Sequence, residues 1–81
     1  MDKNEKLFKF IIKVQRNHYK PDVHSFYIKI NGGEAYVEGQ YGGVYIREFY
    51  DDGSENEFHG TAVAATNRLI MLGADYDTIE M

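Results

Sequence analysis

The spacing of apolar side chains divides the chain into segments of two different periods. Residues 7–16 read Leu-Phe-Lys-Phe-Ile-Ile-Lys-Val-Gln-Arg, so Phe8, Phe10, Ile12 and Val14 alternate with Lys9, Ile11, Lys13 and Gln15. A period of two, carried by β-branched and aromatic residues, predicts a strand. The same run also reads as a helix, with Leu7, Phe10, Ile11 and Val14 on one side. The pattern stops between Asn17 and Asp22, where Pro21 lacks a ladder donor and restricts Lys20.

From Ser25 onwards the alternation becomes regular. Tyr27-Ile28-Lys29, Tyr36-Val37-Glu38 and Tyr45-Ile46-Arg47 repeat the order tyrosine, aliphatic, charged, and Gly-rich turns separate them. This spacing predicts an antiparallel meander. A two-residue type I′ loop at Asn31-Gly32 sets Lys29 opposite Glu34 and Tyr27 opposite Tyr36. A two-residue loop at Gly42-Gly43 sets Glu38 opposite Arg47 and Tyr36 opposite Phe49. Each pair joins opposite charges or aromatic rings, worth about 0.2–1 kcal/mol apiece. One face of the sheet then carries Phe26, Ile28, Ile30, Ala35, Val37, Val44 and Ile46. The other carries Tyr27, Lys29, Tyr36, Glu38, Tyr45, Arg47 and Phe49.

The apolar face needs a cover, and residues 61–72 supply it. Thr61 is an N-cap, and Gly73 stands where a helix ends. Ala62, Val63, Ala65, Thr66, Leu69, Ile70 and Leu72 share one side, with Asn67, Arg68 and Met71 away from it. Between sheet and helix, Asp51-Asp52-Gly53-Ser54 turns the chain either into a further strand at 55–59 or, through Ser54 and Glu57, into a short capped helix. A two-residue turn would set Glu48 opposite Glu57, two like charges. The expected fold is α+β: one small domain over residues 1–81, with a meander of four to five strands and a C-terminal helix packed on one face.

Composition narrows the functional classes. The chain has 81 residues and a net charge of −4, and it contains no cysteine. It therefore has no disulfide framework, thiolate nucleophile or Cys-based zinc site. The charged N-terminus and short apolar runs match neither a signal peptide nor a membrane span, so the expected location is the cytoplasm. The charge is polarised: residues 1–33 carry +4 and residues 34–81 carry −8. Five acids (Glu48, Asp51, Asp52, Glu55 and Glu57) fall within ten residues that contain no base. Acidity of this kind suits a basic protein partner better than nucleic acid.

Motifs that carry chemistry are fragmentary. His59-Gly60-Thr61-Ala62-Val63-Ala64 resembles the catalytic-histidine motif of subtilisin-like serine proteases. That chemistry needs a nucleophilic serine in its own small-residue motif; Ser25 and Ser54, the two serines, lack one, and protease activity is excluded. His24, at the start of a strand in a chain that can fold α-β-β-β-α, resembles the strand histidine of small mRNA-cleaving toxins with a double-stranded-RNA-binding-like fold. That resemblance implies a histidine-dependent ribonuclease. His18, His24 and His59 have no metal-ligand spacing, the acidic turn lacks the ligand order of a calcium loop, and no cofactor is expected.

The profile of a small, acidic, Tyr-rich, cysteine-free domain resembles that of phage and mobile-element antagonists of host defence, such as anti-CRISPR proteins. It implies a non-enzymatic inhibitor or adaptor. The expected contact residues are Tyr27, Tyr36, Tyr45, Arg47, Glu48, Phe49, Asp51, Asp52, Glu55 and Glu57, since tyrosine offers large area at low entropic cost. The alternative is a single-stranded nucleic-acid-binding module that stacks bases on Tyr27, Tyr36 and Tyr45 beside Lys29 and Arg47, with the Lys-rich segment 7–16 in support. An uncovered edge strand would also offer a route to a homodimer.

Overall fold

A computed structural model describes residues 2–81. Its elements run α1 (Lys3–Arg16), β1 (Ser25–Ile30), β2 (Gly33–Gln40), β3 (Gly43–Tyr50), β4 (Glu55–Gly60), α2 (Ala62–Met71) and β5 (Asp75–Glu80). The strands form one antiparallel sheet in the order β4-β3-β2-β1-β5. The fold is α+β with a meander, and both helices pack on one face of the sheet.

Residues 7–16 form a helix, not the strand that their alternation predicts. Asp2 decides this: its side chain accepts the Glu5 amide proton at 2.8 Å and caps the first turn. Leu7, Ile11 and Val14 are then buried at helical spacing, while Phe8, Phe10 and Ile12 pack against the core edge. The accidental period of two arose because those flanking apolar residues widen the buried stripe.

The β1–β2 register is the expected one, with Lys29 opposite Glu34 and Tyr27 opposite Tyr36. Its turn is not type I′, because Gly32 alone takes positive φ (72°) and Asn31 does not. The β2–β3 loop lies one residue earlier than expected, at Tyr41-Gly42, and repeats that geometry with Gly42 at φ 81°. Tyr36 consequently faces Arg47, and Glu38 faces Tyr45. This moves each cross-strand partner by two residues, an even number, so both faces keep their membership.

The acidic turn shifts by an odd number, and that matters more. Gly53 takes φ 89°, its amide donates to the Tyr50 carbonyl at 2.9 Å, and the Tyr50 amide donates to the Ser54 carbonyl at 2.9 Å. Asp52 accepts the Ser54 amide (2.8 Å) and hydroxyl (2.6 Å) protons and locks the bend. The three-residue loop puts Glu48 opposite Asn56 and Ile46 opposite Phe58. The clash of Glu48 with Glu57 is avoided, and residues 55–60 form a strand instead of a capped helix.

Helix α2 begins at Thr61, whose side chain accepts the Ala64 amide proton, and ends in a Schellman arrangement at Gly73 (φ 73°). Ala62, Ala65, Thr66 and Leu69 face the sheet as expected. Val63 and Ile70 do not; they join Met71 on the exposed side. The chain then adds β5 beside β1, an element with no clear alternation, whose register is broken by a bulge where the Lys29 amide donates to Thr78 Oγ1.

The largest departure from the sequence reading is Glu48. Alternation along β3 places it beside Ile46 on the helix-covered face, fully buried at 0% exposure. Arg68, expected to point away, reaches it with Nε and Nη2, each at 2.9 Å. Tyr50 Oη (2.6 Å) and Asn56 Nδ2 (3.3 Å) complete the shell. Burial pushes the Glu48 carboxyl up, but the bonds from Arg68, Tyr50 and Asn56, with the Arg68 charge, outweigh it and leave it below the ordinary range. The pair's stabilisation is thus complete above the usual glutamate value and is lost as pH falls through the depressed one.

Arg68→Ala strands a buried carboxylate and is expected to cost about 1.5–3 kcal/mol at neutral pH. Denaturation across a pH series should show that deficit shrinking in acid; a pH-independent deficit would contradict the assignment. Gly39 lies directly under α1, where an added Cβ would press on the Val14 backbone. Gly39→Ala should therefore cost about 1–3 kcal/mol in the same denaturation assay.

Candidate functional site

The sheet face opposite the helices is open, and the registers arrange its side chains in three rows. Running from β4 to β1, one row reads His59, Tyr45, Glu38 and Ser25. The next reads Glu57, Arg47, Tyr36 and Tyr27, and the third Glu55, Phe49, Glu34 and Lys29. Strand alternation alone puts these twelve residues on one side.

Aromatic contacts knit the face together. The Tyr27 and Tyr36 rings lie 5.2 Å apart, and Tyr45 lies 4.8 Å from His59. The Arg47 guanidinium sits 5.4 Å from the Phe49 ring centre. Tyr27, Arg47 and Phe49 remain exposed to solvent, while Tyr36 and Tyr45 are half-buried by their neighbours.

Charge on the face is largely paired, and acids remain in excess. Arg47 donates through Nε (3.1 Å) and Nη2 (2.7 Å) to Glu55 Oε1, and Lys29 lies 3.2 Å from Glu34. Glu57 accepts a 3.2 Å bond from Tyr45 Oη; loss of hydration first, and this bond second, hold that phenol above its ordinary value. Beyond the end of the face lies the acidic turn, where Asp51 and Asp52 border an open hollow of about 460 Å³ with Gly32, Tyr50 and Ser54. Two bases against four glutamates and two aspartates leave this region negative.

Glu38 is the best-organised polar group. Gln40 Nε2 (2.9 Å) and Tyr36 Oη (2.7 Å) donate to it, and His24 Nε2 stands 3.8 Å away. The Gln40 bond, followed by that of Tyr36 and the His24 charge, holds its carboxyl below the ordinary range against a counteracting burial effect. Nδ1 of His24 lies 3.0 Å from the Lys20 and Pro21 carbonyls; acceptors there fix the proton on Nδ1 and turn Nε2 toward Glu38. Among the described residues, no three His, Asp or Glu side chains converge as metal ligands.

The structure brings Tyr27, Tyr36, Tyr45, Arg47, Phe49, Glu55 and Glu57 onto one face, with Asp51 and Asp52 at its rim. Glu48 is the correction: it lies on the other side of the sheet and is enclosed. Glu38, Glu34 and His59 belong to the open face although charge clustering alone passed over them as contact residues. Strict alternation carries Glu34 and Glu38. His59 depended on the three-residue turn. The Lys-rich segment lies on α1, behind the sheet, and contributes nothing to this face.

No family model, curated protein or solved structure matches the chain. The face is therefore read from its own chemistry. A double-mutant cycle of Tyr27→Ala and Tyr36→Ala should return a coupling of about 0.5–1 kcal/mol in chemical denaturation. Strictly additive losses would show that the two rings do not support one another.

Proposed function

We propose that the chain is a non-enzymatic binding protein, an inhibitor or adaptor whose open sheet face and acidic rim dock onto a basic protein surface. One observation carries this reading: tyrosines and Phe49 stand together on an uncovered face whose own bases are paired with glutamates, next to acids that are not. Aromatic anchors with a charged border are what protein interfaces use, the rings supplying area and the border steering approach. A nucleic-acid-binding protein offers the matching basic surface, which fits the role of an antagonist resembling the anti-CRISPR type.

The same observation ranks nucleic acid lower as the ligand of this face. Lys29 and Arg47 already hold carboxylates, and a phosphate chain would have to displace Glu34 and Glu55 while passing Glu57. Self-pairing through the free edge of β4 would bring Glu55 and Glu57 of two copies together, which disfavours the edge as a dimer contact. Among the described residues no helix is long and apolar enough to cross a membrane, and the proposed site of action is the cytoplasm.

Affinity capture from lysate with the full chain as bait identifies the partner, and charge reversal tests the surface. Asp51→Lys, Glu55→Lys and Glu57→Lys together should weaken the captured partner at least about tenfold, and added salt should weaken the parent complex. Unchanged affinity in the folded triple variant would reduce the acidic segment to a solvated loop.

A further inference from the structure

A second surface lies on the far side of the helical layer, and we propose that α1 and the adjoining β2–β3 turn bind single-stranded nucleic acid. Burial of Leu7, Ile11 and Val14 against the sheet turns Lys6, Lys9, Lys13 and Arg16 outward. The ion pairs among the described residues involve Lys3, His24, Lys29, Arg47 and Arg68; Lys6, Lys9, Lys13, Arg16 and Lys20 have no carboxylate within 4.0 Å. An acidic protein thus keeps five unpaired bases in one region. The helix dipole rationalises Lys13 and Arg16 in the last turn, and Lys6 lies within the field of Asp77, but the dipole disfavours a cation as near the N-terminus as Lys9.

Lys9, Lys13 and Arg16 border an open groove of about 660 Å³ floored by Phe8 and Ile12. Neighbours three or four apart on a helix stand about 5–6 Å from one another, a spacing of the same order as that of successive phosphates on an extended strand. A second hollow, past Arg16 and His18, leads to the turn containing Gly42. There Tyr41 is 91% exposed and Tyr19 is 68% exposed. His18 links them edge-on, 5.8 Å from the Tyr41 ring and 5.5 Å from that of Tyr19, and Lys20 Nζ lies 5.6 Å from the Tyr19 centre.

A row of cations that ends on exposed rings is the arrangement that binds single strands, phosphates tracking the charge and unpaired bases stacking on the aromatics. A duplex hides its base faces, and an acidic polypeptide has no base face to offer the tyrosines. Because α1 separates this surface from the open face of the sheet, the two partners occupy different space.

Fluorescence anisotropy with the full chain and a labelled single-stranded DNA of about 15 nucleotides and mixed sequence tests the assignment. Binding is expected at low salt, falling roughly fifty-fold between about 50 and 200 mM if four phosphates are neutralised. Lys9→Gln, Lys13→Gln and Arg16→Gln together should weaken it at least about tenfold. Tyr41→Ala should weaken it at least about fivefold. Tyr36→Ala, on the other face, should leave it unchanged. All these side chains project into solvent or a half-open face, and circular dichroism confirms that the variants fold. Absence of binding at low salt, or wild-type affinity in both the triple variant and Tyr41→Ala, would overturn the proposal. So would displacement by polyglutamate as effective as displacement by unlabelled oligonucleotide, which would reassign the surface to an acidic protein.

Discussion

A carboxylate enclosed between the sheet and helix α2 is the constraint around which this small domain is arranged. Glu48 enters the covered face because strand β3 alternates strictly, and it is tolerable there because Arg68 and the Tyr50 and Asn56 side chains satisfy it. Breaking such a pair costs far more than forming it returns, so arrangements that separate the partners are penalised. It requires α2 to present Arg68 within reach of β3, and it requires β4 to bring Asn56 opposite Glu48. The three-residue loop with Gly53 at positive φ gives that pairing.

The division of labour between the two sheet faces follows from this register. Glu48 leaves the acidic run and joins the core, while Glu55 and Glu57 turn outward beside Arg47 and Tyr45. Had the turn contained two residues, Phe58 would face solvent and His59 the core. The binding face proposed for a protein partner and the basic α1 surface proposed for a nucleic acid strand are then separated by the same core that fixes both. The net charge of −4 is a sum over these two opposed surfaces.

Much of the sheet could be read from the chain because its signals are local. Gly32 marks a loop whose register follows directly, and at Gly42 a loop one residue earlier moves each partner by two and leaves every side chain on its proper face. The tyrosine repeat therefore located Tyr27, Tyr36, Tyr45 and Arg47 correctly. Three features depended on non-local balance. Residues 7–16 satisfied both periods, and the Asp2 cap with the receiving surface at Gly39 selected the helix. Glu48 looked like one more surface acid because its partner lies twenty residues away on α2. Strand β5 carries few apolar residues and forms by completing the open edge of β1.

The two-faced character of β3 is the claim on which the core and the open binding face rest, and an alanine scan from Val44 to Tyr50 tests it directly through the free energy of unfolding. Substitutions at Val44, Ile46 and Glu48 should each lower stability by about 2 kcal/mol or more, while those at Tyr45, Arg47 and Phe49 should stay near 1 kcal/mol or below. Losses that fail to alternate along the strand, with the outward residues as costly as the inward ones, would contradict the account.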